Sequence, residues 1–415
     1  MSLDLVCFSH LRWDFVYQRP NHLMVRAARD RRVYFVEEPR ATGGRPRLNI
    51  VARGGVTIVT PMLPESLSPA ERPSALAALM DSLVASERIR QPLLWYYTPM
   101  ALPWTSHLAA GFRVYDSMDN LAGFRGAPPE LLLLEDKLLE AADLVFCGGA
   151  SLHERMQTRH AHSYCFPSSV DVPHFERARV SANEPADQAH IGRPRVGYAG
   201  VIDERLDLGL ILEVAESRPG WQIILMGPIA KLEPGELPSA ANIHQLGLKA
   251  YGELPAYLAG WDIGWMPFAR NDATRFISPT KTPEYLAAGL PVVSTSIRDV
   301  VDPYGRHGLV AIADRVDDTI AAIEQILRGR RPEPAAVDDF LASRSWDLTW
   351  SAMNRVMAEL EVDRPKQQRL VGSTLQSHHP TTGGQPSEAL AEVAPTGSTG
   401  RTELASTAAA QGKGS

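Results

Sequence analysis

Cysteine is scarce: Cys7, Cys147 and Cys165 are the only three among 415 residues. Scattered thiols build neither a disulfide framework nor a cysteine-rich metal site, so they read as small core residues of a reducing compartment. Also missing is any window of ~18 uninterrupted apolar residues, the length a membrane-crossing helix needs. Membrane contact is therefore confined to peripheral contact, at the inner face of a membrane if at all. The opening MSLDLVCFSH carries an acid at position 4 and only a short apolar run, and reads as a first strand rather than a signal peptide. A cytoplasmic protein is the expectation.

No G-x-G-x-x-G follows either first strand, which disfavours a dinucleotide cofactor. No carboxylate pair of the glycosidase kind is evident, and the histidines show no metal-ligand spacing. Basic charge is lacking overall, with a formal net charge of −6. That excludes a protein whose main work is gripping nucleic acid, because neutralising phosphates needs a basic surface. The first 60 residues reverse the sign, with ten arginines, no lysine and five acids. A solvated face explains this run, and so does a surface for an anionic acceptor or lipid.

What is present is a rhythm. Short runs that are apolar throughout, such as LVCF, VYFV, LLWYY and LVFC, alternate with helical stretches in the first half. Strands of this kind belong to a parallel sheet covered on both faces. Polar residues 176–193 break the rhythm and read as a linker. A second series then runs through VGYAG, IILMG, DIGWM, PVVST and LVAIA. The expected fold class is α/β, with a domain at 1–178, a second at 190–345, a closing helix at 346–362 and a tail at 364–415. The tail is rich in Ser, Thr, Gly, Gln and Pro, and such a segment buries too little apolar area to offset its ordering entropy. Disorder is predicted there.

The chemistry concentrates in ISPTKTPEYLAAGLPVVST, residues 277–295. Ser278-Pro279 and Thr282-Pro283 each fit a helix start, and Gly289 followed by Pro291 fits its end. A helix N-terminus at the C-terminal edge of a parallel sheet faces the ligand crevice and attracts anions. Ser278, Thr280 and Lys281 suit phosphate there. Glu284, one step further, suits the two hydroxyls of a ribose. A plain helix start with a favourably placed acid explains the same spacing.

The run SPTKTPEYLAAGLPVVST resembles the donor-binding region of GT-B glycosyltransferases, in particular the retaining glycosyltransferase 4 / group 1 family. FSHLRWDFVYQRPNHL resembles the start of a bacterial subgroup that includes teichuronic-acid-type glycosyltransferases, and SSVDVPHF, GYAGVID and ELPAYLAGWDIGWMPF extend the likeness over most of residues 1–360. The resemblance implies two Rossmann-like domains facing across a cleft, an acceptor domain first and a nucleotide-sugar donor domain second, with the last helix crossing back to the first. It implies transfer of a sugar from a nucleoside diphosphate to a hydroxyl acceptor, whether glycan, lipid-linked or small molecule, in cell-envelope polysaccharide or glycoconjugate synthesis, with retention at the anomeric carbon. No cofactor and no metal are expected, in keeping with the lack of a DxD loop.

The family pattern has two glutamates separated by seven residues, and Phe276 occupies the first position. Its arginine after the second domain's first glycine turn is absent, since Gly200 is followed by Val201, Ile202 and Asp203. Arg205, Arg275 and Lys281 remain as cations for the diphosphate, with Lys281 and then Arg275 favoured. In the first half His10 ends a strand at the crevice, where it is either catalytic or structural. Arg19 is a candidate for an acceptor anion or a pin for its loop. In YDSMDN, Asp116 and Asp119 form an acid pair suited to orienting or deprotonating an acceptor hydroxyl, or to capping a turn. A nucleotide-sugar epimerase of the same fold and a noncatalytic sugar-nucleotide or glycan binder stand as alternatives.

Overall fold

The computed structural model describes residues 3–360 apart from 182 and 234. The apolar runs become strands because each carries β-branched or aromatic residues that pack on both faces of a sheet. The strands of the first half are β1 (Leu5–Ser9), β2 (Val33–Glu37), β3 (Arg40–Thr42), β4 (Arg47–Arg53), β5 (Val56–Pro64), β6 (Leu93–Tyr96), β7 (Phe112–Ser117), β8 (Leu144–Cys147) and β9 (Ser163–Cys165), of which β3 and β4 are not apolar runs. They form one sheet in the order β3-β5-β2-β1-β6-β7-β8-β9, parallel throughout except that β4 pairs antiparallel with β5. The register sets Leu5 beside both Val33 and Leu93, so the centre of the sheet is closed to water.

The second half contributes β10 (Arg195–Ala199), β11 (Gln222–Met226), β12 (Ile243–Gln245), β13 (Ile263–Met266), β14 (Val292–Ser294) and β15 (Val310–Ile312). Their order is β12-β11-β10-β13-β14-β15, all parallel. Gly197 in β10 lies against the Trp261 indole, where a Cβ would overlap the ring, so the small residue lets that indole close on the sheet.

The helix at 346–360 leaves the second sheet and packs on the first. Trp346, Trp350, Met353 and Met357 are buried in one cluster with Leu5, Cys7, Trp95 and Phe146. Each such side chain contributes about 1.5–3 kcal/mol by leaving water. Arg26 and Arg29 both hold Asp347, at 2.8 and 2.5 Å.

Three features depart from the sequence reading. The strands β3 and β4, each paired with β5, were not expected; β4 is exposed on both faces apart from a half-buried Leu48. The polar stretch 176–193, read as a linker, holds short helical turns at Glu176–Arg179 and Ala186–Ala189 among its described residues. Within it Arg179 donates to the carbonyls of Ala287 and Leu286, at 2.8 and 3.4 Å, and so caps the helix that the 277–295 motif builds. A helix at Pro334–Leu341 was also unforeseen. Residues 364–415, for which disorder was expected, lie outside the described residues.

Candidate active site

The loops that follow strand C-termini in both sheets meet at one place. After β7 comes Asp119, after β8 Gly148, after β10 Gly200 and after β13 Phe268 and Ser278, and all five line one cavity of about 100 Å³. A neighbouring cavity of about 450 Å³ is walled by Trp13, Phe15 and Tyr17 from the first half and by Met226, Gly227 and Tyr251 from the second. Val16, Gly200 and Lys281 line both, so the two form a continuous cleft. Gly200 and Gly227 are in close approach: Gly227 has φ +149°, and a Cβ on it would overlap the Gly200 carbonyl oxygen.

Direct bonds tie the two halves together around this cleft. Ser168 Oγ donates to the Ser278 carbonyl at 2.5 Å. The Tyr17 and Tyr251 rings stack at 4.4 Å, and the Ser151 amide donates to Asp299 Oδ1 at 3.0 Å.

The helix expected from the 277–295 motif spans Lys281–Ala287, with Thr280 as its N-cap residue. Ser278, Thr280 and Lys281 all line the cleft, as expected. Glu284 requires a correction. Its carboxylate is missing from the lining of both cavities and the residue is 5% exposed. Lys281 Nζ donates to its Oε2 at 2.9 Å and also reaches Thr280 Oγ1 at 3.3 Å. Residues three apart on a helix share a face, so the lysine covers the acid. Glu284 therefore serves the ammonium group and does not itself front the cleft. Burial pushes its carboxyl above the usual range, and Lys281 opposes that shift.

Arg275, the second choice for the diphosphate, also faces elsewhere, in a separate cavity with Phe276 and Arg298. Arg205 takes its place in the cleft. Asp203 holds it by a fork, with Arg205 Nε to Oδ1 at 2.9 Å and Nη2 to Oδ2 at 2.7 Å. Asp203 is 4% exposed, so it orients Arg205 and does not meet a ligand directly. Burial alone would lower the guanidinium's pKa, but Asp203 more than reverses that and keeps it charged.

The acid pair of YDSMDN separates. Asp116 ends up wholly buried within β7 and bonded to Arg19, whose Nη2 lies 2.9 Å from Oδ1 and whose Nε lies 3.1 Å from both carboxylate oxygens. Arg19 Nη1 also donates to the Phe166 carbonyl at 2.7 Å. This pair fixes the start of the helix Arg19–Ala27 to the sheet, and Asp116 is not open to an acceptor. Asp119, two residues beyond the strand, does line the cleft. Burial raises its pKa to about 6 despite the opposing charge of Arg205.

His10 lines neither cavity. Burial lowers its pKa to about 4, a backbone bond to Tyr97 opposes the shift, and its Nδ1 is buried without a partner. Burial therefore favours its neutral form. Tyr198 and the Tyr17–Tyr251 stack escaped the sequence reading, since isolated tyrosines carry no spacing signal.

Residues 193–329 match the family described as Glycosyl transferases group 1. The chain is 29% identical over 273 residues to TuaH of Bacillus subtilis (strain 168), provisionally named as a teichuronic acid biosynthesis glycosyltransferase, covering 61% of this chain and 68% of that protein. The fold is similar to that of sucrose-phosphate synthase from Thermosynechococcus elongatus, with a TM-score of 0.65 at 14% identity over 86% of this chain and 99% of that one. A trehalose-6-phosphate protein from E. coli bound with UDP-2-fluoro glucose gives 0.64 at 13% over 86% and 99%. Anabaena HepE in complex with UDP and glucose gives 0.60 at 13% over the same shares.

Proposed function

This chain is a glycosyltransferase with the GT-B fold, and we propose that its joined cavities hold a nucleoside diphosphate sugar from which the sugar passes to an acceptor hydroxyl. The observation that carries the reading is the position of Lys281, which borders both cavities and is held there by Glu284. The larger cavity, with Trp13, Phe15 and Tyr251 in its wall, suits a base and ribose. The diphosphate then lies at Gly200, within reach of Lys281 and Arg205, and the sugar enters the smaller cavity toward Asp119.

Catalysis on this reading is mainly electrostatic. Charge develops on the departing diphosphate, and two cations fixed in advance by Glu284 and Asp203 oppose it without reorganising. Asp119 accepts a hydrogen bond from a sugar hydroxyl or from the attacking acceptor. The cations supply the charge a divalent ion would otherwise bring, so chelator is expected to leave turnover intact. Retention at the anomeric carbon follows the likeness to the group 1 enzymes, and the configuration of the product tests it. Polysaccharide synthesis is the setting that the likeness to TuaH, named for teichuronic acid biosynthesis, supports.

The deciding experiment is a thermal-shift panel of UDP-, GDP-, ADP- and dTDP-sugars on the wild type and on Lys281→Ala. One base class should stabilise the wild type as RT ln(1 + [L]/Kd), with the gain greatly reduced in the variant. No shift with any donor would remove the reading, and isomerisation of the donor sugar without an acceptor would replace it with an epimerase.

A further inference from the structure

We propose that a third cavity, beside the cleft, binds an oxyanion carried by the acceptor, a carboxylate or a phosphate, with Arg275 as its counter-charge. The proposal rests on the glycosyl-transfer reading above. This cavity has a volume of about 750 Å³ and shares no lining residue with the two that take the donor. It nevertheless adjoins them, since its Phe276 precedes Ile277 of the smaller cavity and its Ser151 lies three residues after Gly148. A chamber next to the sugar end of the donor, and separate from it, is where the second substrate has room.

Its charge is what selects the ligand. Arg155, Arg270, Arg275 and Arg298 line it against Glu154 and Asp272, an excess of two positive charges by count. Three of these arginines are engaged: Arg155 by Glu135 at 3.0 Å, Arg270 by Asp314 at 3.3 Å, and Arg298 by Glu154. Arg275 has no carboxylate partner among the described residues. Its guanidinium lies 5.2 Å from the centre of the Phe276 ring, and that of Arg155 lies 5.9 Å from the same ring. A ring face satisfies a cation far less than a carboxylate does, so the planar fork of Arg275 is left free for a bidentate oxyanion. Ser151 in the same wall is 4% exposed and lies beside the buried Asp299 carboxylate, which accepts from its amide at 3.0 Å.

The test uses the full chain saturated with the nucleotide that stabilises it, titrated with glucuronate, glucose 6-phosphate and glucose while binding is followed by ligand-observed NMR. At least one anionic sugar should bind about tenfold or more tightly than glucose, the scale of a hydrogen-bonded charge. A preference for glucuronate assigns a carboxylate and one for glucose 6-phosphate assigns a phosphate, and either upholds the site. Arg275→Gln should abolish the preference, and so should Phe276→Glu, which places a carboxylate beside Arg275. Arg275 is exposed, so Arg275→Gln should fold and keep its stabilisation by nucleotide, and that variant decides the outcome, because Phe276 packs against the core of the first half. Equal binding of all three sugars, or a preference that survives Arg275→Gln, overturns the site. A wild type that no nucleotide stabilises overturns the donor reading instead.

Discussion

Lys281 Nζ lies 2.9 Å from Glu284 Oε2, one helical turn away, and only the lysine reaches the cleft. The two residues act as a unit: one carries the charge that meets the donor, and the other keeps that charge in place.

Removing them should therefore fail in different ways. Lys281→Ala takes away the cation facing the leaving group and should lower kcat by about 10²–10³-fold, the loss typical of one preorganised electrostatic contact. Glu284→Ala leaves a half-buried ammonium without its partner and should also cost about 2 kcal/mol of stability. Steady-state rates together with denaturant unfolding of both variants check this. A Glu284→Ala protein with native stability and full rate would contradict the pairing.

Asp119 supplies a pH dependence. Burial raises its pKa to about 6, and only the ionised carboxylate accepts a hydrogen bond on both oxygens. Transfer should rise with pH through about 6 and level off above it. Asp119→Asn should remove that limb and slow transfer about 10²-fold or more. The check is a pH–rate profile of both proteins at saturating donor.

The pair of Arg19 and Asp116 is buried and separated by 97 residues. Asp116→Asn leaves a guanidinium almost without compensation and should cost about 3–5 kcal/mol. The double change Arg19→Met with Asp116→Leu should recover much of that. Urea unfolding of the wild type and the two variants measures it; equal losses in the single and double variants would deny the coupling.

His10 works in the opposite direction on stability. Its folded pKa of about 4 lies below the ordinary value of 6.5, so between these values the unfolded chain binds a proton that the folded chain does not. Stability is fully present above about pH 6.5 and falls as pH drops toward 4, by up to about 3 kcal/mol from this group. In His10→Leu the acid loss should shrink by that amount, as read from urea midpoints at pH 4.5 and 7.

Much of this molecule could be read along the chain. Continuous apolar runs need cover on both faces, and that requirement alone dictated two parallel sheets with helices between. The run SPTKTPEYLAAGLP marked a short helix at a sheet edge, because proline, threonine and glycine act on the backbone within a few residues of themselves. What only the tertiary structure decided is which charge meets which. Arg205 turned inward and Arg275 outward, Arg19 paired with Asp116 while still lining the cleft, and Glu284 disappeared beneath Lys281. The exposed strand β4 exists because β5 offers it hydrogen bonds, not because its own side chains ask for burial. Periodicity reports the demand of each segment for burial, whereas a salt bridge depends on how distant segments are brought together, and no local pattern encodes that.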